Sequence, residues 1–387
     1  MAQTGLLEIS DPIVQIAWEN DIDHEARLRL CLLDDEYGFA GNSSDYLVQL
    51  KDDLETKAGG TIRMSFAYRL KSRGRAGEEV LKGHEDRHRT SNYNLYVNVL
   101  RHAVAVDGPM QQQFVSYDAL DLSKNLLGIW ASERFEFGLH AHACGINIVT
   151  SDVYTLNNDI TAINSSYILR PNGKAAGALT SGDVISGDFL NEAKMALNLL
   201  RPKMRPARTP FGEKFVCFIS NEHERDLRKS DSDFYALMVS AMQGGKVDDN
   251  PIFTNMLGCV HDIVFFKSDF VPPGLNSGGT KLKAKTRRAW IGGAGALAMG
   301  FGRGWSAPPY GKNRFQFISD SEDYNFQKQI AVQTIVGATR PRFTDPATST
   351  VHENGVLVLE TYADYGSNFS SSTVYSDWID AGCTVEA

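Results

Sequence analysis

Apolar and polar positions alternate most clearly at TIRMSFAYRL, where Ile62, Met64, Phe66 and Tyr68 fall on one side. A period of two predicts a half-buried strand over 61–70. NYNLYVNVLRHAVAV (92–106), rich in Val and Tyr, is its expected partner. The connection between them, from Lys71 to Ser91, holds Gly74, Gly77 and Gly83 among many charges. It is too long for a tight turn, and long connections without structure of their own are usually functional. A projecting hairpin is therefore expected.

The period changes at SYDALDLSKNLLGIWASERFEFGLHAHAC (116–144), where Leu120, Leu127, Trp130 and Phe137 recur at helical spacing. Ser116 or Asp118 can cap this helix and Gly145 can end it. A Gly/Ser/Asn-rich connector follows, then a shorter helix at FLNEAKMALNLL and a boundary marked by Pro202, Pro206 and Pro210. Beyond it the pattern reads strand KFVCFIS, helix Asn221–Met242 broken near Ser230, strand CVHDIVFFKS, and strand RRAWIGG running into ALAMGF. RFQFIS, QKQIAVQTIVGAT and GVLVLETYA are late strands. Helices and strands in this order predict an α+β body. Residues 1–58 read as an arm with one periodic piece, DYLVQLKDDLETK, expected to be helical.

Charge sharpens this picture. The whole chain carries −8, but residues 1–58 hold thirteen acids against four Lys/Arg, while residues 63–101 hold nine Lys/Arg against four acids. An acidic arm preceding a basic hairpin can pair within a subunit or steer association between subunits. The hydrophobic and charged fractions, 42% and 22%, are those of a folded chain. No apolar run reaches a membrane span, and the N-terminus lacks a basic region followed by an apolar stretch, so the chain is expected to stay where it is made. Net negative charge, with no basic residues interleaved with aromatics, argues against sequence-specific nucleic-acid binding.

Three motifs suggest chemistry. His84-Glu85-Asp86-Arg87-His88 fits H-E-x-x-H, in which two imidazoles one helical turn apart hold zinc and the Glu acts as base. Gly83 before it and charges inside it argue for an exposed loop instead. His140, His142 and Cys144 form H-x-H-x-C, but His142 cannot share a helix face with the other two, and a histidine near a helix C-terminus suits the dipole. Gly293 to Ala298 fits the dinucleotide fingerprint G-x-G-x-x-A, with Asp320 at the spacing of a ribose-binding acid. No second βαβ half follows it, and small residues also let a helix pack close on a sheet. The five cysteines are odd in number and widely spaced, with no C-x-x-C; this argues against a disulfide framework or cysteine zinc site, and Cys217 in FVCFI reads as core. G-x-S-x-G and Walker A sequences are absent.

An ordered series of segments resembles one family: ASERFEFGLHAHACG, SYILRPNG, RPARTPFGEKFVCFISNEHERDLRKSDSDF, NPIFTNMLGCVHDIVFFKSDFVP and RRAWIGGAGALAMGFGRG. Together, over residues 60–362, they are similar to major capsid proteins of the phage N-four type, which have the Hong Kong 97-type shell fold. Asn255 and Asp262 stand where that family would have glycine.

The resemblance implies an N-terminal arm (1–58), an extended two-stranded loop (59–108), a peripheral domain (109–208) with a spine helix at 116–144, a mainly axial domain (209–311), a return through the peripheral domain (312–362) and a C-terminal tail (363–387). It implies a structural protein, with no catalytic residue, cofactor or metal, self-assembling in the host cytoplasm into hexamers and pentamers of an icosahedral shell around DNA. A separate scaffolding protein, a portal protein and decoration proteins are the expected partners. Candidate contacts between subunits are Arg69, Arg73, Arg75, Lys82, His84, Arg87, His88 and Arg89. The competing readings are a zinc metallopeptidase on HEDRH, a nicotinamide-binding enzyme on Gly293–Ala298, and a cellular nanocompartment shell of the same fold.

Overall fold

The computed structural model describes residues 32, 39–51, 54, 59–68, 70, 74–106, 119–210, 212–230, 236, 256–260, 262–302, 314–322 and 327–386. A nine-stranded sheet has Leu282–Gly292 at its centre, antiparallel to Val356–Tyr362 on one side and to Gly212–Ile219 on the other. Ile263–Lys267 runs parallel to Gly212–Ile219. The runs FVCFI, IVFF and VLVLE are buried along their whole length rather than alternately. This follows from cover on both faces. Val216, Phe218, Val264, Phe266, Trp290 and Val358 pack into the cluster that contains the long helix. Phe215, Cys217, Ile219, Ile263, Phe265, Leu357 and Leu359 point the other way, onto Phe189, Leu190, Ala193 and Leu197 of the helix Gly187–Leu199. Cys217 is a core residue, as its apolar neighbours predict.

A six-stranded sheet is organised by Gln327–Thr339, which pairs with Asn98–Val106 along one edge and with Phe315–Glu322 and Leu297–Phe301 along the other. Ile330, Val332, Thr334 and Val336 are buried at alternate positions, as QKQIAVQTIVGAT predicts. The helix expected over 45–57 is not formed at Val48–Lys51, which is a strand lying parallel to Leu297–Gly300. Backbone pairing with the sheet edge outweighs the weak helical period of this short piece.

The hairpin is formed by Thr61–Ala67 and Thr90–Tyr96. Ile62, Met64 and Leu95 bury one face against Ala298. The expected partner strand 92–106 is two strands: Val97 interrupts it, and Asn98–Val106 leaves the hairpin to join Gln327–Thr339. CVHDIVFFKS is likewise two strands, Met256–Val260 and Ile263–Lys267, turning at Asp262. Asp262 has φ +65°, a conformation that glycine adopts freely and Asp tolerates better than most residues. Lys194 and Lys214 flank its carboxylate at 3.3 and 3.7 Å and hold its pKa below the usual range. Asn255 lies outside the described residues.

The long helix is Ala119–Cys144, and Gly145 ends it as expected. With φ +64°, Gly145 donates to the His142 carbonyl at 3.2 Å, and Ile146 donates to that of Ala141 at 3.1 Å. These two bonds make a Schellman cap. From Phe135 to Ile146 every residue is buried, so the second half of the helix runs through the interior and shows no polar face. The segment after Ala363 folds back: Trp378 packs on Phe137 with ring centroids 4.2 Å apart, and Val385–Glu386 pairs with Leu282–Lys283. The helix Asn221–Ser230 is formed, and the rest of the segment expected to be helical lies largely outside the described residues. Among the described residues no helix is long and apolar enough to cross a membrane.

Candidate subunit interface

Residues 74–88 of the hairpin loop are exposed throughout. His84, Glu85, Asp86, Arg87 and His88 form no helix, so the two imidazoles do not share a helical face and the zinc-peptidase geometry is missing. Gly83, at φ +88°, donates its backbone N–H to Glu85 Oε2 at 2.9 Å. Backbone N–H groups of Glu85 and Gly83 lower the Glu85 pKa. Arg75 pairs with Glu79 at 3.0 Å; Lys82, His84, Arg87 and His88 are exposed. Arg69 and Arg73 lie outside the described residues.

Arg89 differs from these. It is half-buried and its Nη1 reaches both carboxylate oxygens of Asp345, at 3.1 and 3.2 Å. Phe66 stacks on Phe343 at 5.0 Å, and Tyr68 meets Phe66 edge-on. These contacts fix the hairpin root to Phe343 and Asp345, at the small strand pair Arg342–Thr344 and Val351–Glu353. Burial, reinforced by the Asp345 carboxylate, raises the Tyr68 pKa. Beside the root lies a groove of about 690 Å³, walled by Phe66, Tyr68 and Met204 and rimmed by Arg201, Lys203 and Arg205.

The other two motifs are structural. Trp290 Nε1–H donates to His140 Nδ1 at 2.9 Å, so the proton of the neutral ring sits on Nε2, facing Glu136 at 3.6 Å. His142 Nε2 donates to the Thr155 carbonyl at 2.8 Å, and burial pushes its pKa down to about 4. His142 is therefore neutral and does not answer the helix dipole. Two arginines do. Arg340, paired with Glu353 at 2.9 Å, donates to the His142 carbonyl, and Arg288, paired with Glu360 at 3.0 Å, donates to that of Cys144. Arg170 also reaches Glu360, at 3.1 Å. These pairs were not anticipated; the available signal was arginine within apolar strand sequence, as at Arg288 in RRAWIGG.

Gly293 to Ala296 turn directly from Leu282–Gly292 of one sheet into Leu297–Phe301 of the other. No helix follows Gly293, so the fingerprint has no helix N-terminus to offer a pyrophosphate, and the helix-on-sheet packing expected of the small residues is also absent. The reason for glycine is backbone crowding: a Cβ on Gly293 would collide with the Arg205 carbonyl oxygen. Asp320 is exposed on a strand of the six-stranded sheet. Among the described residues no group of three or more His, Cys, Asp or Glu is placed to hold a metal ion.

A family model described as phage capsid protein matches residues 14–365. The chain belongs to the phage capsid protein family. As a capsid protein it shares its fold with the capsid of Ralstonia phage GP4, at 21% identity and TM-score 0.67, over 86% of this chain and 91% of that one. The capsid of cyanophage Pam1 aligns at 15% identity and TM-score 0.65, over 85% and 92%. The acid-stable capsid of Helicobacter pylori bacteriophage KHP30 aligns at 12% and 0.57, over 84% and 90%. No curated protein matches significantly. The capsid protein is thus a structural component of a phage capsid, with the α+β shell fold that the ordered segments imply.

Proposed function

We propose that copies of this capsid protein assemble in the host cytoplasm into hexamers and pentamers that close an icosahedral shell around double-stranded DNA. A separate scaffolding protein, a portal and decoration proteins would complete the head. The family match supports this reading, and the observation that carries it is the hairpin: a root fixed by Arg89–Asp345 and Phe66–Phe343 presents an exposed, charged loop at 74–88. The subunit performs no chemistry; interfaces do the work. Residues 1–58 form the arm, 59–108 the extended loop, 109–208 the peripheral domain, 209–311 mainly the axial domain, 312–362 the return and 363–387 the tail.

In this reading the basic hairpin lies against the acidic arm of a neighbour, through Arg69, Arg73, Arg75, Lys82, His84, Arg87 and His88, while Arg89 chiefly holds the root. Many weak contacts suit a shell, because misplaced subunits can leave during assembly. The DNA-facing surface is expected to be neutral or acidic, so that counterion-releasing contacts do not trap the genome. Reversing Arg73, Arg75 and Arg87 to Glu is expected to block assembly while the subunit stays folded. Electron microscopy of expressed particles is the test, and normal shells from that variant refute the pairing.

A further inference from the structure

The groove at the hairpin root and the tip of the same hairpin are chemically complementary, yet one chain does not bring them together. The groove lining includes Leu70 and Arg89 but none of residues 74–88. Its walls are apolar, and Arg201, Lys203 and Arg205 stand exposed at its rim. The carboxylates that also line it, Asp345 and Glu353, are already bound to Arg89 and Arg340. Lys203 forms no ion pair among the described residues, and Arg205 has only Asp45, at 3.8 Å. The free charge of the groove is therefore positive.

The tip offers the opposite chemistry. Val80 and Leu81 are 72% and 60% exposed, the first being the most exposed of the large apolar side chains described. Glu78 and Glu79 precede them, both exposed, and Glu79 is paired with Arg75. A turn in which His84 N–H donates to the Leu81 carbonyl at 3.0 Å follows this segment. Exposed apolar side chains beside acids match an apolar groove with a cationic rim, in both burial and charge.

We propose that the Glu78–Leu81 tip of one copy seats in the hairpin-root groove of a second copy. Val80 and Leu81 cover Phe66 and Met204, and the Glu78 carboxylate faces Arg201 and Lys203. This rests on the reading that copies of the chain assemble, and it names the receptor surface and which edge of the hairpin engages it. That edge is the acidic and apolar one; the arginine edge is left for the arm. Two different patches meet, so the contact is heterologous and propagates head to tail until a ring closes.

The test uses the full-length chain carrying Val80→Cys and Lys203→Cys, both at exposed positions that leave the core untouched. Oxidation of its assemblies is expected to give a disulfide ladder on denaturing gels that stops at closed rings of about five or six copies. Either single variant should give monomer. Adding Glu78→Lys should reduce the ladder, and a separate charge swap, Glu78→Lys with Lys203→Glu, should recover assembly lost with Glu78→Lys alone. Intact shells of the double-cysteine chain that form no disulfide between copies overturn the docking while leaving the assembly reading in place. A chain that forms neither rings nor shells, with or without its partner head proteins, overturns both.

Discussion

Arg340 donates from Nη1 to the carbonyl of His142 at 2.8 Å while its Nε is held by Glu353 at 2.9 Å. The last turn of the long helix thus ends on a buried guanidinium. Nη2 of the same side chain donates to the Thr161 carbonyl at 2.9 Å, so one residue satisfies groups on two segments. Arg288 does the same from the nine-stranded sheet, through Glu360 and the Cys144 carbonyl. Positive charge at a helix C-terminus is favourable, and here it also supplies a donor to the Cys144 and Thr161 carbonyls and a second donor to that of His142, beside Gly145 N–H.

Replacing Arg340 with Ala leaves Glu353 as an uncompensated buried carboxylate. The expected loss is about 3–5 kcal/mol, read by urea denaturation of the soluble subunit. Arg340→Ala with Glu353→Ala should lose less than Arg340→Ala alone. A double-variant loss equal to the sum of the Arg340→Ala and Glu353→Ala losses would mean that the pair is not coupled.

Stability should fall with acid between about pH 6.5 and 4. His142 and His223 are fully buried, and burial lowers each pKa to about 4; beside them, Arg340 lowers His142 further, and for His223 Glu222 opposes the shift while Arg287 adds to it. The unfolded chain takes up protons at the ordinary histidine value, about 6.5, where the folded chain does not. The stabilisation is therefore complete above pH 6.5 and is lost as pH falls toward 4, at about 3 kcal/mol per histidine. Denaturation midpoints from pH 7 to 4.5 measure the slope. His223→Gln, which keeps a partner for Thr361 Oγ1 at the position of the present 2.9 Å bond, should flatten it by roughly half. An unchanged slope in that variant would exclude His223 as a source.

Gly337 lies where the backbone of Tyr96 crosses Gln327–Thr339, and a Cβ there would overlap the Tyr96 carbonyl oxygen. Backbone cannot swing aside as a side chain can. Gly337→Ala is expected to cost at least about 1–3 kcal/mol and to lower the melting temperature, whereas alanine at Gly60, where nothing crowds the position, should not. Matching melting curves for the two variants would refute the account.

Much of the fold is legible in local pattern. The strand at 327–339 and the helix ending at Gly145 follow from periods of two and 3.6 and from one glycine. The misread places share a cause: pairing with distant chain decides them. Nothing local at Val97 says that 98–106 leaves one sheet for another, and the edge of Leu297–Phe301 makes Val48–Lys51 a strand. HEDRH was legible as a poor zinc site from Gly83 and its charges. The groove was not, because it joins residues 66–70, Arg89, 201–205 and 345–355, which no spacing relates.

Only Val97 separates the hairpin strand Thr90–Tyr96 from Asn98–Val106, and its own N–H is tied to the Gly60 carbonyl at 3.1 Å. The projecting arm therefore has almost no slack at its base. A load applied at the tip is carried, through one residue, into the strand beside Gln327–Thr339 at the middle of the six-stranded sheet. The paired strands are a lever and the sheet is its fulcrum, so how a neighbour grips the hairpin becomes a torque felt inside the subunit.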